Sequence, residues 1–402
     1  MSTTTLRPDH PRSAVPGPHR GEELARRLDE RLRSTWAAMG DQGLDALVVA
    51  GRGLVSHWGH LEYLTGYCPI VRHGYAVITP DREPVVVMST RSDAYFARQA
   101  NGFDTRVAGE GDVVGEGNAM PATLATVLHE HGHDAARIGV VGLGQIVPAG
   151  EWDALRAALP EAAWSEATDL LLQIKTVNTT AELEDVREAG AVADAGFEAF
   201  MEHAAVGASG WDLHGEMDRA VRRAGGRELL VFIGAGPYFL DWPSAQPLED
   251  GDLVSVYVEA TGPSGCWVER AGLFTVGAVD GLRREYAETC LRAHEAAKGA
   301  LTVGSTAAHV AAALESETAG LGALPGIWHG HGVGIDHDVP VITRADDTVL
   351  TEGMVISIHP NLTDPSETVG ASVADTYILG AEGPEAISRI PQRIRSIDRS
   401  AR

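Results

Sequence analysis

Three histidines stand close together in the segment Ile327–Pro340, which reads IWHGHGVGIDHDVP. His329, His331 and His337 alternate there with three glycines. Because glycine lets a backbone and a ligand approach closely, these imidazoles could line a pocket and transfer protons in it. The alternative is a His-Gly loop on the surface, since histidine is often a structural residue.

Two more polar residues interrupt apolar runs. Glu269 begins a run that predicts a strand, next to a predicted strand that ends at Glu259. An acidic residue inside an apolar strand pair either meets a cation or has a raised pKa, and both are common in active sites. His359 ends the apolar run Met354–His359, where a polar side chain would project into a cleft. The alternatives are an edge-strand glutamate that faces solvent and a loop histidine.

Other kinds of chemistry lack the residues they need. The segment Gly330-x-Gly332-x-Gly334 has no Lys-Ser/Thr after it, as a phosphate-binding loop would, and no Gly-x-Ser-x-Gly elbow occurs. The 3 cysteines are too few and too widely spaced for a disulfide framework or a cysteine-based zinc site. This usage fits a reducing cytoplasm.

Alternating strand and helix patterns must position these residues. Short β-rich runs between helical stretches up to about residue 160 predict an α/β layer domain, although no Rossmann order is required. The capping box Thr179-x-x-Glu182 predicts the start of a long helix that ends near His203. The pattern changes just before it, so we place a tail at 1–20, an N-terminal domain at 21–165 and a C-terminal domain at 166–402.

Length and charge narrow the function classes. The chain has 402 residues, and single cores stop growing near ~250–300, so two domains are expected. A formal net charge of −24 repels phosphate backbones and anionic lipids, which disfavours nucleic-acid and membrane partners. No apolar run approaches the ~18 residues of a membrane span. We expect a cytoplasmic protein that acts on a small molecule.

Several short segments together resemble the pita-bread family of creatinase, Xaa-Pro aminopeptidase, prolidase and methionine aminopeptidase. The resemblance covers nearly the whole chain in order and approximate spacing, and it implies an α/β (α+β) protein with an N-terminal creatinase-like domain and a C-terminal pita-bread catalytic domain. The segments are Glu62–Tyr67, Ile174-Lys175, Gly251–Val254, Gly330–Gly334, His337–Pro340 and Gly353–Val355.

The resemblance also implies a site at which the chain departs from the peptidases. They hold two metal ions with two Asp, one His and two Glu, and position-by-position matching puts Val258, Glu269, His331, His359 and Ala374 there. Only one of four carboxylates remains, so we expect no dinuclear peptidase site and no cofactor. The alternative is one zinc or iron ion, because Glu269, His331 and His359 are a possible ligand set for it.

Creatinase resembles this chain in working without metal. The resemblance implies a histidine general base that activates water, acidic residues that hold a cationic substrate, and an arginine of the partner subunit that holds its carboxylate. Arg72 is placed like that arginine if a two-residue gap is allowed, and the base falls near Asp241 after a one-residue shift. Either Asp241 abstracts the proton or His331, His337 or His359 does.

We therefore expect a homodimer in which the N-terminal domain of one subunit completes the cleft of the other. The expected activity is metal-independent hydrolysis of a non-peptide C–N bond in a small nitrogenous, carboxylate-bearing compound. Glu269 would bind or protonate the nitrogen, His331 and His337 would transfer protons, and Arg72 would anchor the carboxylate.

Two other functions stay open at this stage. One is a mononuclear metal-dependent hydrolase, lyase or Xaa-Pro-type peptidase, and the other is a non-catalytic small-molecule-binding relic of the family. Tyr238 and Trp242, beside Asp241, would suit a flat or cationic ligand, or they are ordinary core aromatics.

Overall fold

The computed structural model describes residues 18–52, 59–80, 82–110 and 119–398, and the chain forms two compact units, residues 1–174 and 175–402. The division falls inside the helix Thr168–Thr176, whereas the sequence pattern placed it before residue 166. Most of the predicted tail, residues 1–17, lies outside the described residues, and the first helix begins at Pro18. Within the described ranges, no helix has the length and apolarity needed to cross a bilayer.

The N-terminal unit is a mixed six-stranded sheet in the order β4-β3-β2-β1-β5-β6. β1 pairs antiparallel with β2 and parallel with β5, and its buried valines pack against the surrounding helices. The helices are α1 (Pro18–Gln42), α2 (His60–Thr65), α3 (Arg91–Asn101), α4 (Ala119–Glu130), α5 (Ala149–Ala158) and α6 (Thr168–Thr176). The strands are β1 (Ala46–Arg52), β2 (His73–Ile78), β3 (Val85–Met88), β4 (Asp104–Val107), β5 (Arg137–Val141) and β6 (Ala163–Glu166).

The C-terminal unit is built on a nine-stranded sheet, whose main path runs β11-β10-β12-β15-β9-β8-β7. β16 pairs with β15, β17 pairs with β9, and β13 and β14 form a separate hairpin. The helices are α7 (Thr180–His203), α8 (Gly210–Arg223), α9 (Gly281–Ala300) and α10 (Ala307–Thr318). The strands are β7 (Leu229–Gly234), β8 (Leu253–Thr261), β9 (Trp267–Val276), β10 (Gly330–Val333), β11 (His337–Val341), β12 (Val355–Ile358), β13 (Asn361–Thr363), β14 (Gly370–Ser372), β15 (Ala374–Gly380), β16 (Gly383–Ala386) and β17 (Arg395–Ile397).

The antiparallel pair β8 and β9 is buried almost throughout. The face of the pair that carries Gly272 packs closely on α7. A Cβ atom at Gly272 would lie only 2.6 Å from the Phe197 ring. Successive side chains of a strand point to opposite faces, so the alternate residues of both strands face the other way. Those residues include Glu269 and form the floor of the site described below.

The fold agrees with the α/β (α+β) class predicted from the sequence. The capping box is present in full: the Thr179 hydroxyl accepts a hydrogen bond from the Glu182 backbone N–H, and the Glu182 carboxylate accepts one from the Thr179 N–H. The histidine-rich segment is not a surface loop, because Gly330–Val333 and His337–Val341 are paired strands. Glycine is a poor strand former, so it is pairing with β12, and not local propensity, that stabilises the first of these strands.

Candidate active site

Glu269 is the central residue of a buried polar cluster. It lies on β9, is only 3% exposed, and stands directly opposite Glu259 on β8. Its Oε2 atom accepts hydrogen bonds from the hydroxyl groups of Tyr257, at 3.0 Å, and Ser357. Its Oε1 atom lies 3.0 Å from Nε2 of His331 and 3.6 Å from Nε2 of His337. One carboxylate therefore joins groups from β8, β10, β11 and β12.

The contacts of His331 fix its protonation state. Its Nδ1–H donates to the Gly332 carbonyl at 2.9 Å, and its Nε2 faces the Glu269 carboxylate. A carbonyl oxygen and an ionised carboxylate only accept hydrogen bonds, so both ring nitrogens of His331 carry a proton. His331 and Glu269 therefore form a buried imidazolium–carboxylate pair.

The electrostatics of the pair lead to the same conclusion. Burial by itself raises the pKa of Glu269, but the imidazoles of His331, His359 and His337 lower that pKa well below its ordinary value. Burial likewise lowers the pKa of His331, whereas the charge and hydrogen bond of Glu269 raise it, to about 9 overall. At neutral pH both partners are charged.

The two other histidines of the cluster are neutral at neutral pH. Burial and the positive charge of His331 lower the pKa of His337 to about 4. Burial also lowers the pKa of His359 to about 4. Burial and the charge of Glu269 raise the pKa of Glu259 well above its ordinary value. The rings of His337 and His359 lie 4.9 and 5.3 Å from the ring of His331, so proton acceptors and proton donors share one small site.

Two overlapping groups of side chains could hold a metal ion. The donor atoms of Glu269, His331 and His359 all lie within 4.8 Å of one another, and so do those of Glu259, Glu269 and His337. Two imidazoles and a carboxylate suit a single zinc or iron ion. The first group thus fits the single-ion ligand set that the sequence suggested as an alternative.

Val258, which position-by-position matching placed at a metal-ligand position, does not face the cluster. A Cβ atom at Gly196 on α7 would lie 3.5 Å from Cγ1 of Val258, so this side chain faces the helix. The neighbouring residues Tyr257 and Glu259 point into the cluster instead. The alanine methyl of Ala374 offers no donor atom.

Other predicted site residues lie outside the cluster. Asp241 is exposed on the loop after β7, and no hydrogen bond or ion pair of the described residues joins it to the cluster. Tyr238 and Trp242 lie exposed on the same loop, so they are not core aromatics. Arg72 belongs to the N-terminal unit, where it is exposed and adopts a left-handed backbone conformation with φ 59°.

The loop that carries Arg72 is firmly held. The buried Asp93 carboxylate accepts hydrogen bonds from the backbone N–H groups of Ile70, at 2.9 Å, and Val71, at 3.2 Å, and from the Tyr67 hydroxyl. On the other side of the arginine, Nε2 of His73 lies 2.9 Å from the Glu151 carboxylate. Arg72 is thus presented to solvent from a fixed backbone.

Three residues of the cluster escaped the sequence reasoning as site residues: Glu259, Tyr257 and Ser357. Each lies on a strand that was predicted, and each follows the alternation of side chains that faces the site. Glu259 and Tyr257 lie two positions apart on β8, so both face the side of the sheet that carries Glu269. This spacing is the sequence signal that could have identified them. That signal requires the register of β8 against β9.

A second buried ion pair lies next to the cluster. Nζ of Lys175 is 2.8 Å from the carboxylate of Asp338, and their side chains are 1% and 5% exposed. Asp338 follows His337 on β11. The pair therefore holds the strand that carries one of the site histidines.

Family comparison agrees with this architecture. Residues 184–381 match the family described as metallopeptidase family M24, and residues 31–177 match the creatinase/prolidase N-terminal domain. The chain belongs to the pita-bread family of creatinase, prolidase and related peptidases, which confirms the resemblance seen in its motifs.

Individual relatives are peptidases by name. The chain is 29% identical over 235 residues to the probable dipeptidase PepE of Mycobacterium tuberculosis. This match covers 57% of this chain and 62% of that protein. It therefore spans about three fifths of that relative's length. It is 21% identical over 376 residues to the Xaa-Pro dipeptidase of Pyrococcus horikoshii, covering 91% of this chain and 99% of the relative. The crystal structure of dipeptidase PepE from Mycobacterium ulcerans matches with a TM-score of 0.76 at 24% identity, over 93% of this chain and 99% of that one.

Proposed function

We propose that this protein is a hydrolase that cleaves a non-peptide C–N bond of a small nitrogenous, carboxylate-bearing compound by metal-independent acid–base catalysis. The observation that carries the proposal is the ion pair of Glu269 and His331, with the neutral imidazoles of His337 and His359 beside it. A protonated donor and an unprotonated acceptor are both ready at neutral pH. The site therefore has what general acid–base hydrolysis requires.

Different side chains of the cluster carry out the proton transfers of this reaction. A neutral imidazole, His337 or His359, accepts a proton from water as the water oxygen attacks the carbon of the C–N bond. The Nε2 proton that His331 shares with Glu269 passes through this carboxylate to the departing nitrogen as that bond breaks. Glu269 keeps the imidazolium charged and binds the nitrogen, and the hydroxyl groups of Tyr257 and Ser357 hold its carboxylate in place.

The proposal includes a homodimer, in which the partner's N-terminal domain completes the cleft. Arg72 would then bind the substrate carboxylate from the partner subunit. Support comes from the loop itself, since the buried Asp93 holds the backbone before this exposed arginine and Glu151 contacts the side chain of His73 after it. An arginine that is fixed before binding loses less conformational freedom when it pairs with a carboxylate.

A second candidate function is supported by one specific observation. The donor atoms of Glu269, His331 and His359 lie within 4.8 Å of one another, so these residues would hold one divalent ion. A bound ion would polarise a carbonyl group and lower the pKa of a water molecule. The names of the relatives, dipeptidase and Xaa-Pro dipeptidase, suggest peptide substrates in that case.

Metal analysis and turnover separate the two candidates. Untagged protein is analysed for metals, then assayed with small ureido, guanidino and amide acids and with Xaa-Pro dipeptides, with and without chelator. We expect turnover that chelator leaves unchanged. We also expect His331→Ala to lose about 10²–10⁴ in rate, while His309→Ala, at an exposed position on α10, loses nothing.

Two outcomes would contradict this proposal. One bound ion per chain, with activity abolished by chelator and restored by the ion, would establish the second candidate. Binding of these compounds without turnover of any of them would favour a non-catalytic relic.

A further inference from the structure

Three aromatic rings lie exposed at the edge of the site. Trp242 is 62% exposed, Trp328 47% and Tyr238 40%. We call these three residues the aromatic rim. The two segments that carry these rings contact each other, and exposed apolar surface on neighbouring segments often marks a binding site.

Ring contacts connect the rim to the catalytic cluster. Trp328 lies 6.5 Å, centroid to centroid, from His331. Trp242 lies 5.1 Å from Phe232, which in turn lies 6.3 Å from Tyr257, the donor to Glu269. Ring contacts thus connect each tryptophan to a residue that contacts the Glu269 carboxylate. Trp328 is connected to His331, and Trp242 is connected through Phe232 to Tyr257.

The two segments that carry the rim also contact each other. A Cβ atom at Gly326 would lie 3.0 Å from the Tyr238 ring, and the N–H groups of Gly326 and Ile327 donate to Oδ1 of the buried Asn361 at 2.6 and 2.9 Å. Beneath them, Phe239 stacks on Tyr257 with centroids 4.9 Å apart. The rim is thus supported by buried residues and not by loose loops.

The charged side chains of the rim segments and of the segment around Glu367 are acidic. Asp241 precedes Trp242 in the chain and is exposed, and the exposed Glu367 accepts a hydrogen bond from the Tyr238 hydroxyl. The rim segments, residues 235–247 and 322–329, contain no lysine or arginine, and neither does the segment 364–369 around Glu367. Aromatic faces next to carboxylates attract organic cations, and quaternary ammonium groups most clearly.

We propose that the aromatic rim binds an organic cation of the quaternary ammonium type, carried by the substrate of the neighbouring cluster. This inference rests on the proposed function only in assigning the cation to a substrate. Recognition of the cation by the rim is a binding property, and it can be measured whether or not the protein turns over any compound.

The test compares two ligands of nearly equal shape. Choline carries a trimethylammonium group, and 3,3-dimethyl-1-butanol replaces its nitrogen with carbon, so the two differ mainly in charge. Binding of each is followed by tryptophan fluorescence at constant ionic strength. We expect choline to bind at least tenfold more tightly than the neutral alcohol. We expect Trp242→Ala and Trp328→Ala each to weaken choline binding by about three- to tenfold, within the range measured for cation–π contacts.

Trp211 on α8 provides the matched control, because its side chain is 63% exposed and its contact with the rim segment is made by its backbone N–H, which the alanine variant keeps. Trp211→Ala should leave choline binding unchanged, and thermal melts should show that all three variants remain folded. Equal affinity for choline and the alcohol would overturn the proposal and leave only a non-specific apolar patch. The same conclusion follows if the two rim variants bind choline as tightly as the unsubstituted protein. Loss of catalysis with intact choline binding would count against the proposed function alone.

Discussion

The two units of this protein each contain a histidine, a glutamate and a tyrosine in the same arrangement. In the N-terminal unit the Glu151 carboxylate lies 2.9 Å from Nε2 of His73 and accepts a hydrogen bond from the Tyr75 hydroxyl at 2.7 Å. In the C-terminal unit Glu269 lies 3.0 Å from Nε2 of His331 and accepts one from Tyr257 at 3.0 Å. Three residue types at hydrogen-bond distance are therefore not enough to indicate catalysis.

The surroundings of the two carboxylates differ. For Glu151, burial raises the pKa and the hydrogen bonds from His73 and Tyr75 lower it, with a net decrease. Glu269 has in addition His337 and His359, which remain neutral, and a second buried carboxylate, Glu259, opposite to it. A surplus of titratable groups with shifted pKa values therefore distinguishes the C-terminal cluster, and such groups concentrate at functional sites.

Neutralising each carboxylate in turn tests this comparison with the largest expected effect. Glu269→Gln should lower kcat/KM by about 10²–10⁴, because the imidazolium of His331 loses its counter-ion. Glu151→Gln, the matched variant of the other unit, should lower kcat/KM by less than about tenfold, because Glu151 contacts His73 beside Arg72, and it should lower the free energy of unfolding by about 1–3 kcal/mol. Steady-state kinetics and urea unfolding measure the two effects. A comparable loss of rate in both variants would mean that the N-terminal triplet also takes part in the reaction.

The pH dependence of the rate gives the next largest effect. The acceptors His337 and His359, with pKa values of about 4, must be neutral, and the donor His331, with a pKa of about 9, must be protonated. Log kcat/KM should thus be level between these values. It should fall about tenfold per pH unit below about 4, as an acceptor gains a proton, and above about 9, as His331 loses one.

Circular dichroism at each pH value separates this profile from unfolding. The ion pair itself stabilises the fold in the same range: the contribution of His331 is complete below its unfolded pKa of about 6.5 and disappears as the pH rises through about 9. A single inflection near pH 6.5 would show that the catalytic histidine has an unperturbed pKa and would remove the ion pair from the mechanism.

Removing the tyrosine hydroxyl groups should have the smallest effect. Tyr75→Phe and Tyr257→Phe each remove one donor to an ionised carboxylate, and each should lower the free energy of unfolding by about 1.5–3 kcal/mol. Only Tyr257→Phe should also change kcat/KM, by less than tenfold, because it leaves Glu269 less well held. Chemical denaturation and steady-state kinetics provide both numbers. Identical rates for the two variants would show that the hydroxyl of Tyr257 is purely structural.

The sequence predicts much of the site, for reasons specific to each residue. His331 and His337 lie among glycines, His359 ends an apolar run, and Glu269 interrupts one, so each stands out against its neighbours. Glu259 does not, because its role depends on the register of β8 against β9. A slip of one residue moves every side chain of a strand to the other face, and no local pattern fixes that register.

The secondary structure likewise includes elements that the local sequence predicts and elements that depend on pairing with distant segments. The helix that begins with the capping box at Thr179 is encoded locally, and so are the long apolar strands β8 and β9. The short strand β10 is not, since its two glycines disfavour a strand and it pairs with β12, which is distant in the sequence; β11 in turn pairs with β10 at the edge of the sheet.

The ion pair of Lys175 and Asp338 limits how this protein can evolve. Loss of either partner alone leaves a bare charge in the interior, at a cost of about 3–5 kcal/mol, comparable to much of the stability of a domain. Replacement of both by apolar residues of similar volume is often neutral or favourable. The pair can therefore be lost in evolution only if both residues change together or if a destabilised single variant persists between the two changes. This requirement slows sequence change in the strand that carries His337.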